Sequence, residues 1–191
     1  DSSACLLKDG ILIAAAEEES FRRVKHWAGF RSVAIKWCLS WEGITLRDVE
    51  HIALNQDPRA NLRNKIIYTV KKRPNLRMLL DHFRTKRARA SIKDQLLNKF
   101  PESSFIGTIH AIEHHTAHLS SAFHVSPFNQ AVTVSVDGFG DLASSAWGIG
   151  DGINIDIKKR VYFPHSLGIF YQALTQLIGF NNYGDEYKVM G

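Results

Sequence analysis

Two of the chain's three Asp-Gly dipeptides, Asp9-Gly10 and Asp151-Gly152, each stand between β-prone runs, and no other feature constrains the fold of this chain as strongly. Asp-Gly supplies two neighbouring residues that tolerate positive φ, which is what the tight turn joining twisted antiparallel strands requires. Residues 2–8 and 11–16 therefore read as a hairpin entered by Asp1. Further along, Ala131–Val136 is a β-branched run ending at Asp137, Ala143–Gly150 is the next strand, and Ile153, Ile155 and Ile157 alternate beyond the second Asp-Gly. Asp1 and Asp137 thus occupy equivalent points, each followed by a small-residue turn, a strand, an Asp-Gly turn and another strand.

Two facing units of this kind are the layout of the actin, hexokinase and Hsp70 type of fold, in which paired loops grip the phosphates of a nucleotide. The expected class is α/β, an actin-like ATPase (ribonuclease H-like) fold with a mixed sheet and flanking helices. Between the units, Val33–Leu39 has helical spacing, Val49–Leu54 and Phe105–Ile109 read as strands, and about Glu113–Phe123 reads as a helix. From Asp57 to Lys99, thirteen Lys/Arg stand against three acids in a chain whose formal net charge is only +5, so the remainder is net acidic. Apolar residues recur there at helical intervals broken at Pro74, which predicts a basic helical insertion over about 57–100. Cys5 and Cys38 are too few for a disulfide framework, and no apolar run approaches the roughly 18 residues of a membrane span. A cytoplasmic location and no membrane partner are expected.

The chemistry concentrates in Glu113-His114-His115-Thr116-Ala117-His118 and Asp137-Gly138-Phe139-Gly140-Asp141. His114 and His118 are four apart and share one helix face, and Asp137 at the end of a strand can complete a three-ligand site for a divalent ion. Two imidazoles and a carboxylate suit Fe, Zn or Mn, and an ordinary pair of helix histidines is the plain alternative. His115 is turned about 100° from His114 and cannot share its face. Gly138 and Gly140 let backbone approach a phosphate without a Cβ in the way, although a hairpin turn would also want glycine. With Phe139 and Asp141 they form the candidate nucleotide-binding segment. Lys25 and His26 could hold a leaving phosphate or an acceptor hydroxyl, and Asp1 could act as general base.

Read in order, D-S-S-A-C-L-L-K-D-G, A-A-A-E-E-E-S-F-R-R-V-K-H, H-H-T-A-H, S-A-F, S-P-F, D-G-F-G-D, F-P-H-S-L-G and D-E-Y-K-V-M-G resemble the N-terminal part of the NodU/CmcH carbamoyltransferase family. The resemblance spans nearly the whole chain, strongest after residue 110 and weakest across 57–100. It implies a two-part enzyme, in which a YrdC-like C-terminal domain makes carbamoyl adenylate from carbamoyl phosphate and ATP, and the actin-like part transfers the carbamoyl group to a hydroxyl. On this reading residues 1–191 are part of the transfer domain, incomplete as a fragment, inactive alone and without the YrdC-like domain. A fourth metal ligand would be an Asp beyond residue 191. Iron is the first expectation for the metal. The implied partners are carbamoyl phosphate, ATP and a hydroxylated small molecule or oligosaccharide, with a homodimer as the candidate assembly. The chain departs from the pattern in lacking the His before Asp1, in Ser20 where Arg is common, and in Arg31 where Pro is common.

Two other classes remain open: a nucleic-acid or anionic-polymer binding module using the basic helices, and an actin-like sugar kinase, which nothing like H-H-T-A-H supports. Nucleic acid is the less favoured partner, because the cations alternate with apolar residues and no aromatic stacking platform accompanies them. Duplex DNA or RNA should accordingly bind only marginally even at about 50 mM salt. A true phosphate-contacting surface with six or more cations would instead bind tightly and lose roughly a thousandfold by about 200 mM. Titrations at the two salt concentrations check this, and sub-micromolar binding abolished by changing Lys71, Lys72 and Arg73 to Glu would reassign the function.

Overall fold

A computed structural model of the chain describes residues 2–25, 27, 29–72, 92–182 and 184–191. These fall into two compact units, 1–52 with 75–109, and 53–74 with 110–191. The expected α/β class is observed, built among the described residues from three small sheets and their helices.

In the first unit, β1 (Ser3–Lys8) and β2 (Ile11–Glu17) pair antiparallel about Asp9 and Gly10, whose φ values of 51° and 79° are those the Asp-Gly reading requires. Helix α1 (Glu18–Arg22) follows, and α2 (Ser32–Glu42) packs on both strands with Ala34, Cys38 and Leu39 buried. Gly43, at φ 72°, ends α2, with Gly43 N–H donating to the Ser40 carbonyl and Ile44 N–H to the Leu39 carbonyl. This paired bonding satisfies carbonyls the helix end would leave bare. Ile44 then packs beside Leu39 in a cluster with Leu46 and Leu96.

The N-terminus of α2 is held from outside by a buried acid. The Glu18 carboxylate, fully buried, accepts from Val33 N–H at 3.0 Å, Ala34 N–H at 2.8 Å and Arg22 Nε at 2.6 Å. Burial alone would raise its pKa, but the Ala34 and Val33 N–H groups and the Arg22 guanidinium outweigh it and hold the carboxyl below its ordinary value.

The second unit is an antiparallel meander of β5 (Gln130–Gly140), β6 (Ala143–Asp151) and β7 (Asn154–Tyr162), in that spatial order. The helix α5 (His114–Phe123) packs on β5 and β6, burying His115, Leu119 and Phe123. A Cβ at Gly150 would lie 2.5 Å from the Phe123 ring, so glycine there sets how closely this helix approaches the sheet. Helix α6 (Leu167–Leu177) packs on β5, and α7 (Glu186–Met190) packs on α6.

Strand β3 (His51–Leu54) pairs with β4 (Thr108–Ala111), which lies later than the expected Phe105–Ile109 because Phe105 is drawn into the first unit's apolar cluster. The described ends of the basic segment are helical, α3 (Leu62–Lys72) in the second unit and α4 (Ile92–Lys99) in the first. The Pro74 break, Arg73 and Lys86-Arg87-Ala88-Arg89 lie outside the described residues. Leu96 of α4 is 3% exposed, so this end of the segment contributes to a core as well as to a charged surface. No helix among the described residues is long and apolar enough to cross a membrane.

Because the folded pKa of Glu18 lies below its unfolded value near 4.5, its contribution to stability is complete above that value and is lost as pH falls toward the folded pKa. Glu18→Ala strips two buried N–H groups of their acceptor and should cost about 2–4 kcal/mol. Urea unfolding should show this loss at pH 7 and a smaller difference between parent and variant below pH about 4.

Candidate metal centre

Helix α5 begins with a side-chain cap. Glu113 accepts at Oε2 from Thr116 N–H at 2.8 Å, from the Thr116 hydroxyl at 2.7 Å and from Arg160 of β7 at 3.1 Å. Burial works to raise the Glu113 pKa, yet the Thr116 and Arg160 hydrogen bonds and the arginine charge carry it down to about 2. The helix start is therefore fixed by an ionised acid with its counter-charge on the sheet, and an anion there also suits the helix dipole.

From this start His114 and His118 project on one face, with ring centroids 4.5 Å apart. Their Nε2 atoms are 3.0 Å apart, and Asp137 Oδ2 lies 2.8 Å from the first and 3.6 Å from the second. The other nitrogen of His114, Nδ1, faces the Asn55 carbonyl at 3.3 Å. Each ring nitrogen of His114 thus faces an oxygen that can only accept, the Asn55 carbonyl at Nδ1 and the Asp137 carboxylate at Nε2. Three atoms able to ligate a metal converge here, and either shared protons or a shared cation can hold them together. Ligands about 2.0–2.2 Å from one ion stand roughly 3.0–3.5 Å from each other, which the observed separations match to within a few tenths of an ångström. The donor set therefore fits a divalent cation, and Asn55 supplies the kind of outer hydrogen bond that orients a ligating imidazole. At Asp137, burial would raise the pKa, but the His114 contact and the Gly138 N–H hold it below its ordinary value.

His115 is turned away from the cluster and buried, its Nδ1 2.8 Å from the Ser135 hydroxyl. Burial pushes its pKa down, in keeping with a structural imidazole. Its Nε2 lies near the Ala143 backbone without hydrogen-bond geometry.

The D-G-F-G-D segment differs from the turn expected of it, since β5 continues through Gly140 and the chain reverses at Asp141 and Leu142, with φ values of 49° and 76°. A Cβ at Gly140 would sit 2.0 Å from the His114 ring, so this glycine clears space for a cluster imidazole. Asp141 accepts at Oδ2 from Asp57 N–H at 2.9 Å and His114 N–H at 3.0 Å, while its carbonyl takes the Asn61 amide at 2.9 Å. The Phe139 ring packs against Phe163 at 4.9 Å. Of the expected catalytic residues, Asp1 and His26 lie outside the described residues, and Lys25 is exposed on the first unit. Asn55 and Arg160 are not singled out in the sequence, and Glu113 appears there only as part of the histidine motif. Glu113 was legible as an acid preceding a helix, whereas a backbone carbonyl and a residue 47 positions away carry no local signal.

Residues 1–191 match the family model described as carbamoyltransferase N-terminus. The chain is 34% identical over 204 residues to the uncharacterized protein sll1178 of Synechocystis, covering all of this chain and 32% of that protein. It is 32% identical over 196 residues to nodulation protein NolNO of Sinorhizobium fredii, covering all of this chain and 27% of the relative. A third match, 40% identical over 82 residues, is nodulation protein NolO of Bradyrhizobium diazoefficiens, covering 42% of this chain and 14% of that protein. The chain thus spans about a third or less of the length of these relatives.

Gly140→Ala should force the His114 ring out of place and destabilise the chain by about 1–3 kcal/mol. Denaturant unfolding measures the loss, and the ring displacement should appear as changed imidazole nitrogen shifts of His114. A variant with parent-like stability and shifts would show that the ring does not depend on this glycine.

Proposed function

The chain belongs to the carbamoyltransferase family, by its match along its whole length to that family's N-terminal domain, and from this premise we propose that it forms the acceptor-side part of a NodU/CmcH-type O-carbamoyltransferase. The reaction assigned to it is transfer of a carbamoyl group from carbamoyl adenylate to a hydroxyl of a sugar or natural product. The observation that carries this reading is the convergence of His114 Nε2, His118 Nε2 and Asp137 Oδ2 within 4.8 Å of one another. The hairpin of the first unit and the meander of the second, each backed by a helix, support the actin-like assignment.

A divalent ion held by His114, His118 and Asp137 would supply a Lewis acid that polarises an oxygen of the donor. Iron is favoured, with zinc or manganese as alternatives. Two neutral imidazoles and one carboxylate leave a dication with excess positive charge, which attracts a phosphate-bearing donor. With the ion on His114 Nε2, the Asn55 carbonyl would accept the proton of Nδ1 and orient the ring. Gly138 is the position at which the phosphate is proposed to approach. A Cβ there would meet nothing closer than Ile169 Cδ1 at 3.8 Å, so the protein's own packing does not require glycine. Phe139, Gly140 and Asp141 frame that approach, and Lys25, His26 and Asp1 remain proposed for phosphate binding, acceptor binding and general-base duty. A cavity of about 290 Å³ lined by Tyr68, Tyr162, Phe163 and Leu142 offers an uncharged wall for the acceptor.

Calorimetry with Fe²⁺ under anaerobic conditions, and with Zn²⁺ and Mn²⁺, should show one equivalent bound, weakened more than tenfold by His118→Ala. A non-hydrolysable carbamoyl adenylate analogue should bind the metal-loaded chain and fail to bind His118→Ala. Equal metal affinity in parent and variant would overturn the site, and analogue binding indifferent to metal would overturn the assigned reaction.

A further inference from the structure

Among the described residues the segment Phe163-Pro164-His165-Ser166-Leu167-Gly168 supplies no ligand to the cluster, yet its end meets the backbone of Asp137, which supplies the carboxylate. Pairing between β5 and β6 is regular as far as Val136 and resumes at Gly140, so Asp137, Gly138 and Phe139 fall in a break of the ladder. Backbone in such a break lacks the cross-strand bonds that hold its neighbours. Ser166, the N-cap of α6, stands in for them. Its Oγ lies 3.1 Å from the Asp137 carbonyl and 2.8 Å from the Gly138 carbonyl, to which its single proton is donated, and it accepts from Ile169 N–H at 3.1 Å.

Gly168 closes the same contact from the helix. A Cβ there would lie 2.6 Å from the Asp137 carbonyl carbon and oxygen and 2.7 Å from Gly138 N, all backbone atoms that cannot rotate away. The segment is itself anchored, because the buried Ser144 hydroxyl of β6 donates to the His165 carbonyl at 2.5 Å. Asp137 carries 39% side-chain exposure, and its carboxylate is steered by the Gly138 N–H at 2.6 Å and by the cluster histidines. Its aim thus depends on where its backbone is clamped.

We propose that Ser166 and Gly168 are positioning residues that set the Asp137 carboxylate relative to His114 and His118. The proposal rests on the metal reading of the cluster and extends it to a helix that contributes no ligand. An uncharged hydroxyl does this with little electrostatic effect on the carboxylate, so its removal acts through geometry.

Co²⁺ is the probe, because its visible absorption reports ligand geometry as well as occupancy. Ser166→Ala should weaken Co²⁺ binding about tenfold and shift the absorption bands, Ser166→Thr should restore both, and Gly168→Ala should be worse than Ser166→Ala. Ala146→Gly, which destabilises the same unit away from the cluster, should keep parent affinity and spectrum. Parent-like affinity and bands in Ser166→Ala and Gly168→Ala would overturn the proposal, as would an equal loss in Ala146→Gly. If the parent chain takes up no Co²⁺, the metal reading itself fails. The clamp is then judged on the metal-free chain by the nitrogen shifts of the His114 imidazole, which must move in Ser166→Ala, and unchanged shifts overturn it.

Discussion

The Asp141 carboxylate holds together three parts of the second unit that would otherwise meet only at their edges. It accepts the first N–H of the helix bearing both cluster histidines and the N–H of Asp57, while its own carbonyl takes the side chain of Asn61. Asp141 and Leu142 both occupy the left-handed region, which costs a non-glycine residue about 1–2 kcal/mol. Three hydrogen bonds to one residue offset that strain and explain why the turn forms here rather than at the glycines before it. With the reversal displaced to Asp141, Gly140 is left in the strand, where its missing Cβ admits the His114 ring.

Charge burial does related work in each unit. Glu18 and Glu113 are both held ionised below their ordinary pKa at a helix start, each with an arginine as counter-charge. A buried ion pair seldom adds much net stability, because desolvation cancels most of the attraction. Its effect is on position, since an acid that must keep a guanidinium and two further donors satisfied, two N–H groups at Glu18 and the Thr116 N–H and hydroxyl at Glu113, tolerates little displacement. For α5 this constraint is passed directly to His114, the residue after Glu113, and one turn later to His118.

The cluster also shows why a break in a β-ladder can be useful. A regular strand would point Asp137 strictly across the pleat and bind its carbonyl to the neighbouring strand. Releasing Asp137–Phe139 from that pattern frees the carboxylate to face two histidines on a helix, and the carbonyls are then met by Ser166. The three cluster residues lie within the stretch that matches the family model, in H-H-T-A-H and D-G-F-G-D, and folding brings their side-chain atoms together in space.

Much of this was legible in the residues alone. Asp9-Gly10 forms its hairpin locally with both residues at positive φ, whereas at Asp151-Gly152 only the glycine is left-handed and Asp151 still pairs with Asn154, so that turn falls at Gly152 and Ile153. The i, i+4 spacing of His114 and His118 follows from helical geometry, and the link to Asp137 followed from its place at the end of a β-branched run. Tertiary structure decided what local rules cannot reach. It assigned the strand-to-strand reversal to Asp141 instead of Gly138, because the Asp57 and His114 N–H groups that stabilise that turn come from distant segments. It gave Gly140 to the packing of an imidazole, divided the basic segment's described ends between two units, and set His114 Nδ1 against a carbonyl 59 residues away. Residue type and spacing determine which atoms can donate or accept, and only the folded chain determines which of them meet.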